Sequence, residues 1–193
     1  ACLFDYILSI GMKPFVEIGP MPSALASGKK TIFFYKANVT PPKNYKMWND
    51  LIKRFMDFLI DRYTFEEVES WYFEVWNEPD LKVFWSGSKG EYFKLYKNTA
   101  NVIRSFGENI KIGGPATSGG NWIGEFKEYC ENDNIPLDFI STHAYPGDAL
   151  GHDVKGDNPV KQALGFMKKV KACKGQDIHT LFLKLFKQIE VLK

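Results

Sequence analysis

Residues 71–80, Trp-Tyr-Phe-Glu-Val-Trp-Asn-Glu-Pro-Asp, combine groups suited to acid–base chemistry with an apolar stretch that would bury them. The apolar stretch ends at Asn77 and Glu78, and Pro79 stops further strand pairing because it lacks a backbone N–H. A carboxyl group among so many aromatic side chains is poorly hydrated, which disfavours its charged form and suits it to donating a proton. The segment therefore predicts Glu78 as a general acid/base. The alternative is a strand-end carboxylate that caps a neighbouring helix.

Alternating strand and helix patterns surround this segment. Short apolar runs bounded by Gly or Pro predict buried strands at residues 13–19, 71–76, 110–114, 137–142 and 178–183. Apolar residues at i, i+3 and i+4 predict helices at residues 44–62, 90–106, 122–132 and 159–173, and residues 1–11 resemble the end of a helix closed by a glycine. Such alternation indicates a parallel sheet covered by helices, either open or closed into a barrel.

In either fold the carboxyl ends of the strands face the ligand site. We therefore expect Glu78, Ala116 and His143 at one edge of the sheet. Residues 21–42 form the longest predicted loop, and Thr64 with Glu67 suggests a capping box before the second strand.

Composition excludes several classes of function. The net charge of +2 is too small to predict a nucleic-acid or membrane partner, and the late lysine cluster is typical of a solvated helix face. Three distant cysteines argue against a disulfide framework, and the histidines and carboxylates lack metal-ligand spacing, so we expect no metal. We expect no nucleotide cofactor either, because Pro115 in Gly-Gly-Pro removes a donor that phosphate would need.

No apolar run approaches the roughly 18 residues of a membrane span. No secretory signal precedes the first predicted strand, which favours a cytoplasmic location. The sequence opens inside a helix, so we expect that a preceding segment is missing.

Residues 71–80 resemble the signature of family 39 of the glycoside hydrolases, the β-xylosidase and α-L-iduronidase family. In that family Trp-x-Phe-Glu-x-Trp-Asn-Glu-Pro-Asp/Asn marks the fourth strand of a (β/α)₈ barrel, and every fixed position is present here. Residues 11–19, 111–116 and 138–146 resemble the third, fifth and sixth strands. The resemblance covers about residues 1–175, and His-Ala-Tyr-Pro favours the β-xylosidase branch.

The resemblance implies roles for four residues. Glu78 corresponds to the family's acid/base, and Asn77 to the residue that hydrogen-bonds the sugar 2-hydroxyl. His143 and Tyr145 correspond to a pair beside the nucleophile, with Tyr145 donating its hydroxyl to that carboxylate; the alternative is a satisfied core pair. Trp85 could stack on a sugar ring or simply pack against its neighbours.

A retaining glycosidase needs a second carboxylate about 5–5.5 Å from the acid/base. The resemblance places it at the end of the seventh strand, where this chain has Lys184 and Leu185. Glu190 lies in a stretch unlike the nucleophile strand. Glu17 is better suited to a sugar hydroxyl or a structural role, and Glu74 to a hydrogen-bonded interior position.

These features predict one incomplete (β/α)₈ TIM barrel domain over residues 1–193, with strands three to six, a candidate degraded seventh strand and an atypical tail at 176–193. The expected function is a retaining glycosidase that hydrolyses β-1,4-xylosidic bonds of xylo-oligosaccharides, with a carbohydrate as its partner. The alternative is a truncated, inactive sugar-binding remnant without the nucleophile.

Overall fold

The computed structural model describes residues 2–144 and 180–185, which form an α/β fold with a parallel sheet. In chain order its elements are α1 (Cys2–Ser9), β1 (Phe15–Ile18), β2 (Thr31–Ile32), β3 (Ala37–Asn38), α2 (Tyr45–Tyr63), α3 (Phe65–Glu69), β4 (Tyr72–Val75), α4 (Lys89–Arg104), β5 (Lys111–Ser118), α5 (Ile123–Asn132), β6 (Phe139–Ala144) and β7 (Thr180–Leu185). All five predicted strands are present. The predicted helix at 159–173 lies outside the described residues.

The main sheet has the order β1-β4-β5-β6-β7, and every neighbouring pair is parallel. The prediction that the first four of these strands are adjacent and parallel in chain order is confirmed. Because the strands run in one direction, their carboxyl ends form a single edge, which we call the carboxyl edge. The loops that follow β1, β4 and β5 begin at this edge.

Alternate strand residues separate the two faces of the sheet. One face carries aliphatic and aromatic side chains that pack with buried residues of α2 and α4 in a single core, among them Val16, Phe73, Ile112 and Ile140 of the strands and Met56, Leu59, Leu95 and Ile103 of the helices. Each fully buried aliphatic side chain contributes roughly 1.5–3 kcal/mol to folding. On the opposite face the rings of Phe15, Tyr72 and Phe139 contact one another at centroid distances of 5.5–6.0 Å.

Polar caps set where the helices begin. The Asn44 side chain accepts from the backbone N–H of Met47 at the start of α2. Ser88 begins α4 with a full capping box. The predicted box at Thr64 is only half formed: Thr64 Oγ1 accepts from the N–H of Glu67, but the Glu67 carboxylate instead accepts from Trp71 Nε1 and Lys13 Nζ.

Residues 21–42 are not the plain loop predicted from the sequence, because they contain the antiparallel pair β2–β3. Each strand of this hairpin has only two residues, too short for periodicity to reveal. The hairpin stands at the carboxyl edge, where Met21 N–H donates to the carbonyl of Asn38.

Within the described residues no helix has the length and apolarity needed to cross a membrane.

Candidate active site

The backbone at the carboxyl edge adopts an unusual conformation. Trp76, Glu78 and Ala116 have φ angles of 71°, 44° and 55°, in the left-handed region that costs a non-glycine residue about 1–3 kcal/mol. Two hydrogen bonds hold this conformation, from Trp76 N–H to the carbonyl of Ile18 (3.0 Å) and from Glu78 N–H to the carbonyl of Ala116 (2.8 Å). The fold therefore sustains local strain where the candidate acid/base is placed.

The side chain of Tyr92, on α4, forms hydrogen bonds to two strands near this edge. Its hydroxyl lies 3.1 Å from the carbonyl oxygen of Val75 and 2.9 Å from that of Pro115, so one buried side chain links the end of β4 to the middle of β5. Burial raises the pKa of the Tyr92 hydroxyl well above its usual value, and the group stays a neutral hydrogen-bond donor.

Glu78 and His143 meet at the carboxyl edge, as predicted from their strand-end positions. Glu78 is only 8% exposed and His143 only 1%. His143 Nδ1 lies 3.2 Å from Glu78 Oε1. A neutral imidazole can donate to the carboxylate from a protonated nitrogen or accept from the carboxylic acid at an unprotonated one. The pair can therefore stay hydrogen-bonded whether the carboxyl group is ionised or protonated.

Asp80, which the sequence motif contains but to which no role was assigned, links two loops of the site. Its Oδ1 accepts from Ser118 N–H and its Oδ2 from Asn121 Nδ2, both at 2.9 Å. Burial raises the pKa of Asp80 and the nearby charge of Glu78 adds to the rise, although the two hydrogen bonds oppose it. Asp80 thereby ties the segment that carries Glu78 to the loop after β5.

Asn77 is partly exposed and opens onto a cleft of about 100 Å³ between the end of β1, the β2–β3 hairpin and the end of β4. Its lining includes Glu17, Gly19, Phe33, Tyr35, Asn77 and Phe84. We call this space the hairpin cleft. Glu17 on β1 and Glu74 on β4 are register partners. Glu17 lines the cleft, whereas Glu74 is fully buried, as expected for an interior group.

The expectation that Trp85 stacks on a sugar does not fit its surroundings. Trp85 is fully buried, and its ring packs edge-on against Trp76 (5.0 Å) and Tyr92 (6.3 Å). Its Nε1 donates to the carbonyl of Ser88 at 3.0 Å. A ligand would have to displace these contacts to reach the ring, so the structure favours the packing alternative. The sequence shows that a tryptophan is present, but not which way it faces.

The end of β7 carries no carboxylate. Lys184 is the register partner of His143, and Leu185 is that of Ala144. These are the positions where the sequence resemblance placed the nucleophile. Tyr145 and Glu190, the other two residues named for this region, lie outside the described residues.

The Gly-Gly-Pro segment serves packing between strands. A Cβ on Gly113 would lie 2.3 Å from the carbonyl oxygen of Phe139, so no larger residue fits between β5 and β6 there. In the described part of the chain no three His, Cys, Asp or Glu side chains are grouped so that they could hold a metal ion.

The sequence model of Glycosyl hydrolases family 39 matches residues 1–176. A beta-xylosidase of Caldicellulosiruptor saccharolyticus is 53% identical over 147 residues, and one of Geobacillus stearothermophilus is 48% identical over 150 residues. Each match covers 76% of this chain and 30% of the relative, so the chain spans less than a third of the length of these curated relatives.

Solved structures share the fold. A monomeric beta-xylosidase from Caulobacter crescentus CB15 superposes with a TM-score of 0.82 at 36% identity, covering 95% of this chain and 38% of that one. The GH39 enzyme from Xanthomonas axonopodis pv. citri gives a TM-score of 0.81 at 35% identity, covering 96% and 38%.

Proposed function

Because the chain belongs to family 39 of the glycosyl hydrolases, we propose that its site serves the hydrolysis of β-1,4-xylosidic bonds in xylo-oligosaccharides by a retaining mechanism. The observation that carries the proposal is the buried Glu78 in contact with His143 at the carboxyl edge. The substrate class rests on the two relatives, both beta-xylosidases, that share about half of the aligned residues with this chain.

Glu78 acts twice in this mechanism. As a carboxylic acid it protonates the leaving oxygen while the bond from that oxygen to the anomeric carbon breaks and a carboxylate nucleophile bonds to the carbon. As a carboxylate it then takes a proton from the water that displaces the nucleophile and releases xylose. The Asn77 amide binds the sugar 2-hydroxyl, and His143 holds Glu78 in place through both steps.

The same proposal extends to the fold. We take the five parallel strands as strands three to seven of a (β/α)₈ barrel. Support comes from the similarity to family 39 structures and from the cluster of Phe15, Tyr72 and Phe139 on the sheet face opposite the helices, which would form an inner layer of the barrel.

A second candidate function is sugar binding without turnover by this 193-residue chain. The register of β7 favours it, because Lys184 and Leu185 stand beside His143 and Ala144 where the nucleophile is expected. Without a carboxylate at that point the covalent step has no partner, whereas the residues that contact the sugar remain.

One experiment separates the two candidates. The purified chain is titrated with xylose by NMR and incubated with a dinitrophenyl β-xyloside, with and without azide. Azide can replace a missing nucleophile: it attacks the anomeric carbon opposite the leaving group, the dinitrophenolate departs with the bonding electrons, and an α-xylosyl azide forms. We expect xylose binding, and release of dinitrophenol only when azide is present.

The controls use residues of the same type. Asn77→Ala should weaken xylose binding, and Asn101→Ala, an exposed change on α4, should leave it unchanged. Hydrolysis without azide would eliminate the second candidate and support the first. A chain that binds no xylose, or binds it equally well with Asn77→Ala, would contradict both.

A further inference from the structure

The β2–β3 hairpin and the loop after β4 carry exposed lysines without acidic partners. Residues 21–43 contain four lysines and no aspartate or glutamate. Six lysines elsewhere in the described residues form ion pairs, namely Lys13, Lys46, Lys53, Lys89, Lys97 and Lys127. Within the same part of the chain, no ion pair joins a carboxylate to Lys29, Lys30, Lys36 or Lys82, which we call the hairpin lysines. Their positive charge is therefore uncompensated.

The hairpin lysines lie on both strands of the hairpin and on the loop beside it. Lys36 N–H donates to the carbonyl of Phe33 at 3.1 Å and closes the turn. Lys29 and Lys30 directly precede β2, which pairs with the strand that Lys36 precedes. Lys30 Nζ donates to the carbonyl of Lys82 at 2.7 Å, so the loop after β4 lies against the hairpin. An ammonium group has three N–H donors, and one carbonyl leaves the others available to a ligand.

The turn also carries an aromatic ring that takes no part in the core. Phe34 is 95% exposed, contacts Tyr35 edge-on at a centroid distance of 5.2 Å, and does not line the hairpin cleft. An exposed ring gains none of the stabilisation that burial would give it. A ligand with an apolar face and a negative charge would match both this ring and the hairpin lysines.

A uronic acid has both properties. One face of its pyranose ring carries C–H groups that can stack on an aromatic ring, and its carboxylate attracts ammonium groups. Nucleic acids also combine stacking with negative charge, but residues 21–43 contain no arginine and too few cations to follow a phosphate backbone. The hairpin also forms a wall of the cleft that contains Asn77, the proposed contact of the sugar 2-hydroxyl, which favours a carbohydrate at its tip.

We infer that the hairpin tip binds a uronic acid group of an acidic xylan, with the sugar ring on Phe34 and the carboxylate beside Lys36, in the field of the other hairpin lysines. This inference rests on the proposed function for the xylan backbone and adds a surface outside the hairpin cleft that selects chains bearing such groups. Because salt screens exposed charges, the contribution of the carboxylate should fall as ionic strength rises.

The test compares two forms of one polymer. Glucuronoxylan, and the same glucuronoxylan after reduction of its carboxyl groups to alcohols, are titrated against the full chain by calorimetry. We expect the acidic form to bind about tenfold more tightly at low salt, and this advantage to disappear at about 1 M salt. Phe34→Ala should weaken binding of both polymers, because the reduced sugar keeps its apolar face.

Charge-matched double variants identify the surface. Lys29→Gln with Lys36→Gln should remove most of the advantage of the acidic polymer. Lys46→Gln with Lys53→Gln removes the same charge from exposed positions on α2 and should preserve the advantage. Equal effects of the two double variants, or equal binding of both polymers, would overturn the inference.

Two further titrations fix the class of ligand and separate this inference from the proposed function. Polyglutamate or single-stranded DNA that bound as tightly as glucuronoxylan would mean a general polyanion surface, and the inference would fail. Xylose is titrated by NMR against the same samples. Xylose binding without preference for the acidic polymer would leave the proposed function standing alone. A lysine-dependent preference without xylose binding would overturn the proposed function and support a surface for acidic glycans.

Discussion

The assignment of Glu78 as acid/base has a direct chemical consequence. A poor leaving group such as the sugar of xylobiose must be protonated as it departs, whereas dinitrophenolate departs unaided. With azide as the nucleophile, Glu78→Ala should therefore slow cleavage of xylobiose at least about a hundredfold and change the cleavage of dinitrophenyl β-xyloside little. Initial rates for both substrates, measured by product chromatography and absorbance, test this.

A matched change separates chemistry from general damage. Glu128→Ala removes an exposed carboxylate on α5 and should leave both rates unchanged. Equal loss on both substrates with Glu78→Ala would contradict the acid/base role and would indicate a residue that supports binding or folding instead.

How far the sequence predicts individual residues depends on what fixes each one. The positions of Asn77, Glu78 and His143 could be predicted, because a buried strand followed by a proline or a polar residue determines where its carboxyl end lies. The burial of Trp85 could not, since it depends on contacts with Trp76 and with α4 that no local pattern encodes.

At the scale of elements, Asp80 joins the loop after β4 to the loop after β5. Asp80→Ala removes the acceptors of two hydrogen bonds, from Ser118 N–H and Asn121 Nδ2, and should lower the free energy of unfolding by about 2 kcal/mol. Chemical denaturation followed by tryptophan fluorescence measures the change. Asp133→Ala, which removes an exposed ion pair with Lys97, should cost well under 1 kcal/mol.

The same residue predicts a pH dependence of stability. Burial raises the pKa of Asp80 in the folded state, so the stabilising effect of its neutral form is complete below its unfolded pKa of about 4 and is lost as pH rises through the folded value. Asp80→Asn cannot ionise. The unfolding free energy of the unmodified chain should therefore fall relative to that of Asp80→Asn as the pH rises above about 4. Parallel pH profiles would refute this assignment.

The elements themselves were predictable where they are long or regularly patterned. α2 and α4 follow from apolar stripes and the main strands from short apolar runs between glycines and prolines. The β2–β3 hairpin could not be predicted in this way, because its two-residue strands depend on the hydrogen bonds of Asn38 and Thr40 rather than on any periodicity.

At the scale of the whole molecule, the pairing of β6 with β7 decides which residues lie beside His143. In the described part of the chain the sheet runs from β1 to β7 and places the last strand beside His143. The apolar run predicted a strand there, and the resemblance to family 39 placed the nucleophile at its end, where the sequence has Lys184 and Leu185. The register of β7 with β6 could not be predicted, because it depends on the pairing of the two strands in the folded sheet.

That register allows a gain-of-function prediction. Position 184 pairs with His143, which contacts Glu78, so a carboxylate introduced there would share the face of the sheet that carries the site. Lys184→Glu should therefore confer hydrolysis of dinitrophenyl β-xyloside without azide, on the order of a hundredfold above the unmodified chain. Leu185→Glu introduces the same charge one residue later, at the position paired with Ala144, and should confer none.

Three measurements decide the outcome of this comparison. Absorbance of released dinitrophenol gives the rate, size-exclusion chromatography confirms that the assayed fractions have the same oligomeric state, and the anomeric configuration of the first product distinguishes retention from inversion. Retention is expected, because the carboxylate introduced at position 184 would form a covalent intermediate that water then displaces with the help of Glu78. Equal gains from both variants, or a product of inverted configuration, would mean that position 184 does not face the anomeric carbon and that the barrel register proposed for β7 is wrong.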